Sequence, residues 1–237
     1  MTKLSSVILS ALLIALPVSS MAAYQGGEVK DGGSISGTVK FKGTAPAPKK
    51  VDVSKDKEVC GKTPKFDESL IVSNGNLVNA VITITDITKG KKMEVQKVTL
   101  DQKGCDYHPH VLAFPAGSTV EILNPDGILH NIHSFSKVNT PFNMAQPKFK
   151  KSMEVKIEKP ETIEVRCDVH GWMEGWLVPT ANPYFAVTDN SGTFKLTDVP
   201  PGTYTVEVWH QKLGKTTQKV TVKAKEDAKV NFEMAGK

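Results

Sequence analysis

Along most of this 237-residue chain apolar side chains recur at every second position, and that alternation decides the fold class. Ile35, Gly37, Val39 and Phe41 alternate with Ser36, Thr38 and Lys40, and Val206/Val208, Val220/Val222 and Val230/Phe232 repeat the pattern near the other end. A period of two turns one face of a strand to a core and the other to water. No ten-residue stretch carries an apolar stripe at helical spacing, so the expected class is all-β with many short strands. Further strands are expected at 95–100, 111–114, 119–123, 131–135, 152–157, 162–166 and 175–178, with an irregular stretch over 137–151. Ser73-Asn74-Gly75-Asn76 reads as a hairpin turn between Leu70–Val72 and Leu77–Ile84. Asn190-Ser191-Gly192 and Pro200-Pro201-Gly202 read as two more, with Gly202 at positive φ in a type II turn.

Two segments carry chemistry. Cys167, His170 and Met173 stand at C-x2-H-x2-M spacing, just past the alternating run Glu161–Val165. A loop at a strand end lets three side chains converge. A thiolate, an imidazole and a thioether suit copper, whereas calcium and magnesium want oxygen. A fourth donor must come from elsewhere, and His130, after the turn-forming Asn124-Pro125-Asp126-Gly127, is the natural candidate. Two His and one Cys with a weak axial Met is the donor set of blue-copper electron-transfer sites. A zinc site from Cys167, His170, His130 and His133 is the competing reading, but it leaves Met173 without a role. Buried structural residues are the plain alternative.

His130-Asn131-Ile132-His133 and Cys167-Asp168-Val169-His170-Gly171-Trp172-Met173 resemble the two ligand segments of cupredoxins, and the short loop is most similar to that of amicyanin. Tyr107-His108-Pro109, Ala116–Val120 and Asn124 resemble the run that precedes the first ligand in plastocyanin-like proteins. The likeness spans about 95–179. It implies a Greek-key β-sandwich holding one type 1 copper through His130 and His170 Nδ1, the Cys167 thiolate and an axial Met173. It also implies that Asn131 ties the two loops together near the sulfur. Gly171 and Trp172 stand where the amicyanin loop has Pro and Phe, and Trp172 is a candidate electron port, with core packing as its alternative. His108, His110 and His133, with His210, are weaker candidates for a second metal site; surface or core histidines are the plainer reading.

The first 23 residues read as a secretory signal peptide: Lys3, an apolar core over Val7–Val18, then small residues ending at Ala23. No other run is apolar enough for a transmembrane helix, so a periplasmic protein without membrane insertion is expected. Losing Lys3 lowers the formal charge from +5 to +4. Charge so mild and so spread out argues against nucleic acid and suits docking to an acidic redox partner, such as a c-type cytochrome or a copper or quinone enzyme. With Cys167 on copper, Cys60 and Cys105 are left as a disulfide or as two separate buried thiols.

Past Pro179 the chain changes character. The run Thr188–His210, with its turns and the Val199-Pro200-Pro201-Gly202-Thr203-Tyr204 sequence, resembles the second half of a carboxypeptidase regulatory-like, transthyretin-type sandwich, a scaffold module. Gly33-Ser34-Ile35-Ser36-Gly37-Thr38-Val39 has the form of that family's opening strand. The expected layout is a flexible leader over 24–32, a discontinuous sandwich from 33–87 and 181–237, and a cupredoxin domain over 88–180. The alternative puts the N-terminal strands in the cupredoxin sheet. No C-x-x-C-H, H-E-x-x-H or P-loop occurs, and no paired carboxylates suggest acid–base work, so no enzyme is expected. An electron carrier leads, and a periplasmic copper-binding or delivery protein is the alternative.

Overall fold

The computed structural model describes residues 23–236, and nearly all regular structure in it is strand. All but the last residue of the expected signal peptide lies outside the described residues. No described helix is long and apolar enough to cross a membrane.

Two sandwiches account for the fold. In the first, strand Gly33–Lys42 is flanked by Thr193–Val199, Asp227–Lys229, Phe232–Ala235 and the small hairpin Val72–Ser73/Asn76–Leu77. The facing sheet runs Phe185–Val187, Val81–Ile84, Gly202–His210, Gly214–Val222. The alternating residues meet between them: Ile35, Val39, Phe194, Leu196 and Phe232 pack against Ile82, Ile84, Val206, Val208 and Val222. Gly37 is required here, because a Cβ would lie 1.6 Å from the Val230 carbonyl oxygen. Segments nearly two hundred residues apart therefore share one sheet.

Several local expectations are corrected. Leu77–Ile84 is not one strand: Asn79 takes a left-handed φ of 62° and sends the chain from one sheet to the other. The turns at 190–192 and 200–202 likewise carry the chain between sheets and close no hairpin, since Thr193–Val199 pairs with Gly33–Lys42 while its chain neighbours pair elsewhere. The positive φ falls on Asp198, beside a bulge, and not on Gly202. The leader is not free: Gln25–Gly27 pairs in parallel with Lys89–Lys91, and the Tyr24 hydroxyl donates to the Lys91 carbonyl. A strand missed in the irregular stretch, Asn143–Gln146, pairs with His130–Ser134.

The second sandwich sets a five-stranded sheet (Val111–Pro115, Glu174–Thr180, Ile163–Arg166, His130–Ser134, Asn143–Gln146) against a three-stranded one (Ser152–Lys156, Thr119–Leu123, Lys97–Asp101). Phe114, Ile132, Ile163, Val165 and Leu177 meet Leu100, Val120, Ile122 and Met153 in its core. Cys60, disulfide-bonded to Cys105, is buried in this core, with Val53 and Val59 packed against it. The segment around Cys60 thus belongs physically to the second sandwich, although it was expected within 33–87. Conversely, Lys89–Lys91 packs beside Tyr184 of the first, so the boundary expected at 88 moves beyond this strand. Lys65 holds the segment down through an ion pair with Asp106 and a bond to the Gly104 carbonyl.

The two sandwiches meet through Val81, Val111 and Val178, with Trp176 and Trp209 in edge contact at 5.1 Å. His110 Nε2 reaches Gln211 Oε1 at 2.6 Å across the same seam.

The disulfide closes a loop of sequence separation 45. Its loss in the double variant Cys60→Ser/Cys105→Ser is expected to cost about 2–4 kcal/mol in guanidinium unfolding of the metal-free protein. Burial, with His110 nearby, holds His210 at a pKa of about 4, below its ordinary 6.5. Between those values the unfolded chain binds a proton that the folded chain refuses, so stability falls as pH drops from 6.5 to 4. His210→Asn is expected to flatten that slope by roughly 2–3 kcal/mol in unfolding curves measured across the window.

Candidate metal centre

The site grows from one end of the second sandwich. Asn124 closes the turn before the first donor: its Nδ2 donates to the Ile128 and Gln146 carbonyls, and its Oδ1 accepts from Asp126 N–H. Gly127 supplies the positive φ of 72° that the turn needs. The chain then enters strand His130–Ser134 with His130 turned inward. Ile163–Arg166 runs antiparallel to it, with Arg166 opposite His133, so the loop after Arg166 travels back toward His130. That loop is tight: Met173 N–H donates to the His170 carbonyl and Cys167 N–H to the Met173 carbonyl.

The result is a buried donor set. His130 and His170 are wholly buried, and Cys167 and Met173 nearly so. His130 Nδ1 and His170 Nδ1 are 3.0 Å apart, and Cys167 Sγ is 3.8 Å from His170 Nδ1. One donor atom from each of the three residues lies within 4.8 Å of the others. Donors about 2 Å from a shared ion have separations of this size.

The outer nitrogens explain the orientation. His130 Nε2 sits 2.9 Å from Asp126 Oδ2, and His170 Nε2 sits 2.9 Å from Asp56 Oδ2. A neutral imidazole that gives its Nε2–H to a carboxylate turns a lone pair out of Nδ1. Two such lone pairs then face each other beside a sulfur, and only a cation or a shared proton among them removes the repulsion. The arrangement fits a soft metal ion. Burial pushes the Cys167 thiol up, but hydrogen bonding to His130 and His170 and from Asn131 N–H, 3.5 Å away, outweighs it and brings the pKa to about 6. Burial would lower His130; Asp126 and Cys167 together raise it.

The remaining expected residues separate. Met173 is buried at the closing end of the loop. Asn131 ties the loops: its Oδ1 accepts from Asp168 N–H, and its Nδ2 donates to Asn143 and Asp168. Trp172 is half-buried, tilted against His170 at 5.2 Å, and donates to the Cys105 carbonyl. It also lines a cavity of about 480 Å³ together with Lys49, Glu68 and His110. The second histidine cluster is not assembled among the described residues: His108 is exposed, His110 turns to Gln211 and Glu68, and His133 turns to Asp168. Asp56 was missed, for nothing in its neighbourhood marks it, and its partner lies 114 residues away. Asp126 stood in the turn and could have been noticed by its i,i+4 spacing to His130.

A profile of the carboxypeptidase regulatory-like domain matches residues 177–235. No curated protein matches the chain. Among solved structures, a copper-containing nitrite reductase from Thermus scotoductus SA-01 is 24% identical over 38% of this chain, with a TM-score of 0.34; the match spans only 24% of that chain. An amicyanin variant in its reduced Cu(I) form at pH 4 is 21% identical over 35% of this chain and 82% of its own, with a TM-score of 0.33. A second amicyanin variant, also with Cu(I), gives 20% identity and a TM-score of 0.32. These are partial likenesses. What the site can do rests on its own geometry.

In the metal-free protein, ultraviolet titration of the Cys167 thiolate is expected to show a midpoint near 6. In His130→Ala the midpoint should climb toward that of an ordinary buried thiol, because a stabilising partner is gone while the burial stays.

Proposed function

We propose that this chain is an exported electron carrier whose redox centre is one type 1 copper ion, held by His130, Cys167, His170 and Met173. The observation that carries the reading is the convergence of two imidazole Nδ1 atoms and a low-pKa sulfur in one buried volume, with both Nε2 atoms engaged by carboxylates. Copper, when bound, supplies one-electron Cu(I)/Cu(II) chemistry. The chain's own residues do the rest. Cys167 is ionised at neutral pH without a separate base. The strand and loop hold the imidazoles in fixed tautomers, and Asn131 locks the two segments together, so the donors keep one geometry in both oxidation states. Burial keeps water off the donors, and Trp172 offers an aromatic contact from His170 toward the cavity it lines with Lys49, Glu68 and His110.

Export to the periplasm accords with a disulfide, which persists in oxidising compartments. The partner is then another redox protein, and the carboxypeptidase regulatory-like part is a scaffold, not a catalyst. Buried donors are poorly placed for rapid metal hand-over, which disfavours the delivery reading.

Adding Cu(II) to purified protein is expected to give an intense blue or green thiolate charge-transfer band that disappears in Cys167→Ser. A pale complex that survives Cys167→Ser would overturn the reading, and a preference for zinc with no copper band would replace it.

A further inference from the structure

The edge of His170 is covered by a residue from the other end of the chain. Asp56 directly precedes the one-turn helix Lys57–Cys60, where an Asp would ordinarily cap the helix through its side chain, yet it makes no such bond. Its backbone is left-handed at φ 47°, a conformation that L side chains other than glycine adopt at a steric cost. The carboxylate is aimed instead at His170 Nε2, 2.9 Å away. Cys60 anchors this arrangement from both sides. Its N–H donates to the Asp56 carbonyl, and its sulfur is bonded to Cys105. Cys105 N–H donates to Asp126, the carboxylate on His130, and the Cys105 carbonyl accepts from Trp172, whose ring lies against His170. One disulfide therefore joins the supports of both imidazoles.

We propose that Asp56 is a positioning residue for the metal centre: held in place by the Cys60–Cys105 bond, it fixes His170 with Nδ1 toward the donor set, excludes water from the ring edge and biases the centre toward the higher oxidation state. The last effect follows from charge. A carboxylate on Nε2–H makes the imidazole a stronger donor, which favours Cu(II) over Cu(I). The redox part of this inference rests on the copper reading above; the orientation of the ring does not.

Two measurements test it. In the metal-free protein, ring ¹⁵N shifts are expected to show His170 as the Nε2–H tautomer, and to show a mixture of tautomers in Asp56→Ala. In the copper-loaded protein, Asp56→Asn is expected to keep the thiolate band while raising the Cu(I)/Cu(II) affinity ratio roughly tenfold, read as a midpoint potential about 59 mV higher. Asp56→Glu should recover part of the shift. Glu58→Gln, which removes an exposed charge two residues away, should leave the potential unchanged. An unaltered tautomer in Asp56→Ala overturns the proposal, as does a potential that moves equally in Glu58→Gln and Asp56→Asn. If the wild type forms no thiolate band, the copper reading fails alone, and the tautomer measurement still decides the role of Asp56.

Discussion

Two imidazole nitrogens with their lone pairs turned toward each other, beside an ionisable sulfur and away from water, form the constraint around which the second sandwich is built. Each ring on its own could rotate. Neither does so freely, because Asp126 and Asp56 hold the outer nitrogens and the loop bonds of Met173 close the other side. Buried polar groups are stable only when each has a partner, and here the chain supplies the outer partners of both rings.

The sandwich makes that arrangement rigid. His130 and the Cys167 loop hang from antiparallel neighbours in one sheet, and Ile132, Val165 and Leu177 press the sheet onto Leu100 and Ile122. The disulfide adds a third attachment by pinning a helical turn from the N-terminal part across the ligand end. The first sandwich has no part in the donor set. It meets the second through a small apolar seam of Val81, Val111 and Val178, with Trp176 and Trp209 packed against it.

Much of this was legible in the residues. The alternation at Ile35–Phe41, Thr119–Leu123 and Ser152–Ile157 gave strands close to those observed, because a half-buried strand writes its pattern locally. His130, Cys167 and His170 were legible because donor type and spacing are chemical signatures that survive without coordinates. Sheet membership was not. Asn79 sits inside what looks locally like one strand and Asn190–Gly192 looks like an ordinary hairpin turn, and which sheet the chain enters next depends on where the partner strand already lies. Gln25–Gly27 and Asn143–Gln146 were missed because a glycine-rich or proline-flanked segment becomes a strand only when an edge is offered to it.

By itself the sequence determined the all-β class, the choice of candidate donor side chains and the placement of Cys167, His170 and Met173 on one loop, since each is set by local pattern or by covalent spacing. Only the tertiary structure decided that His130 meets Cys167 and His170, that the segment around Cys60 belongs to the second core, and that Asp56 backs His170 from 114 residues away. A hydrogen bond across such a distance costs the chain only a slowly growing loop entropy, so folding can make it freely, and it leaves no trace in the residues beside either partner.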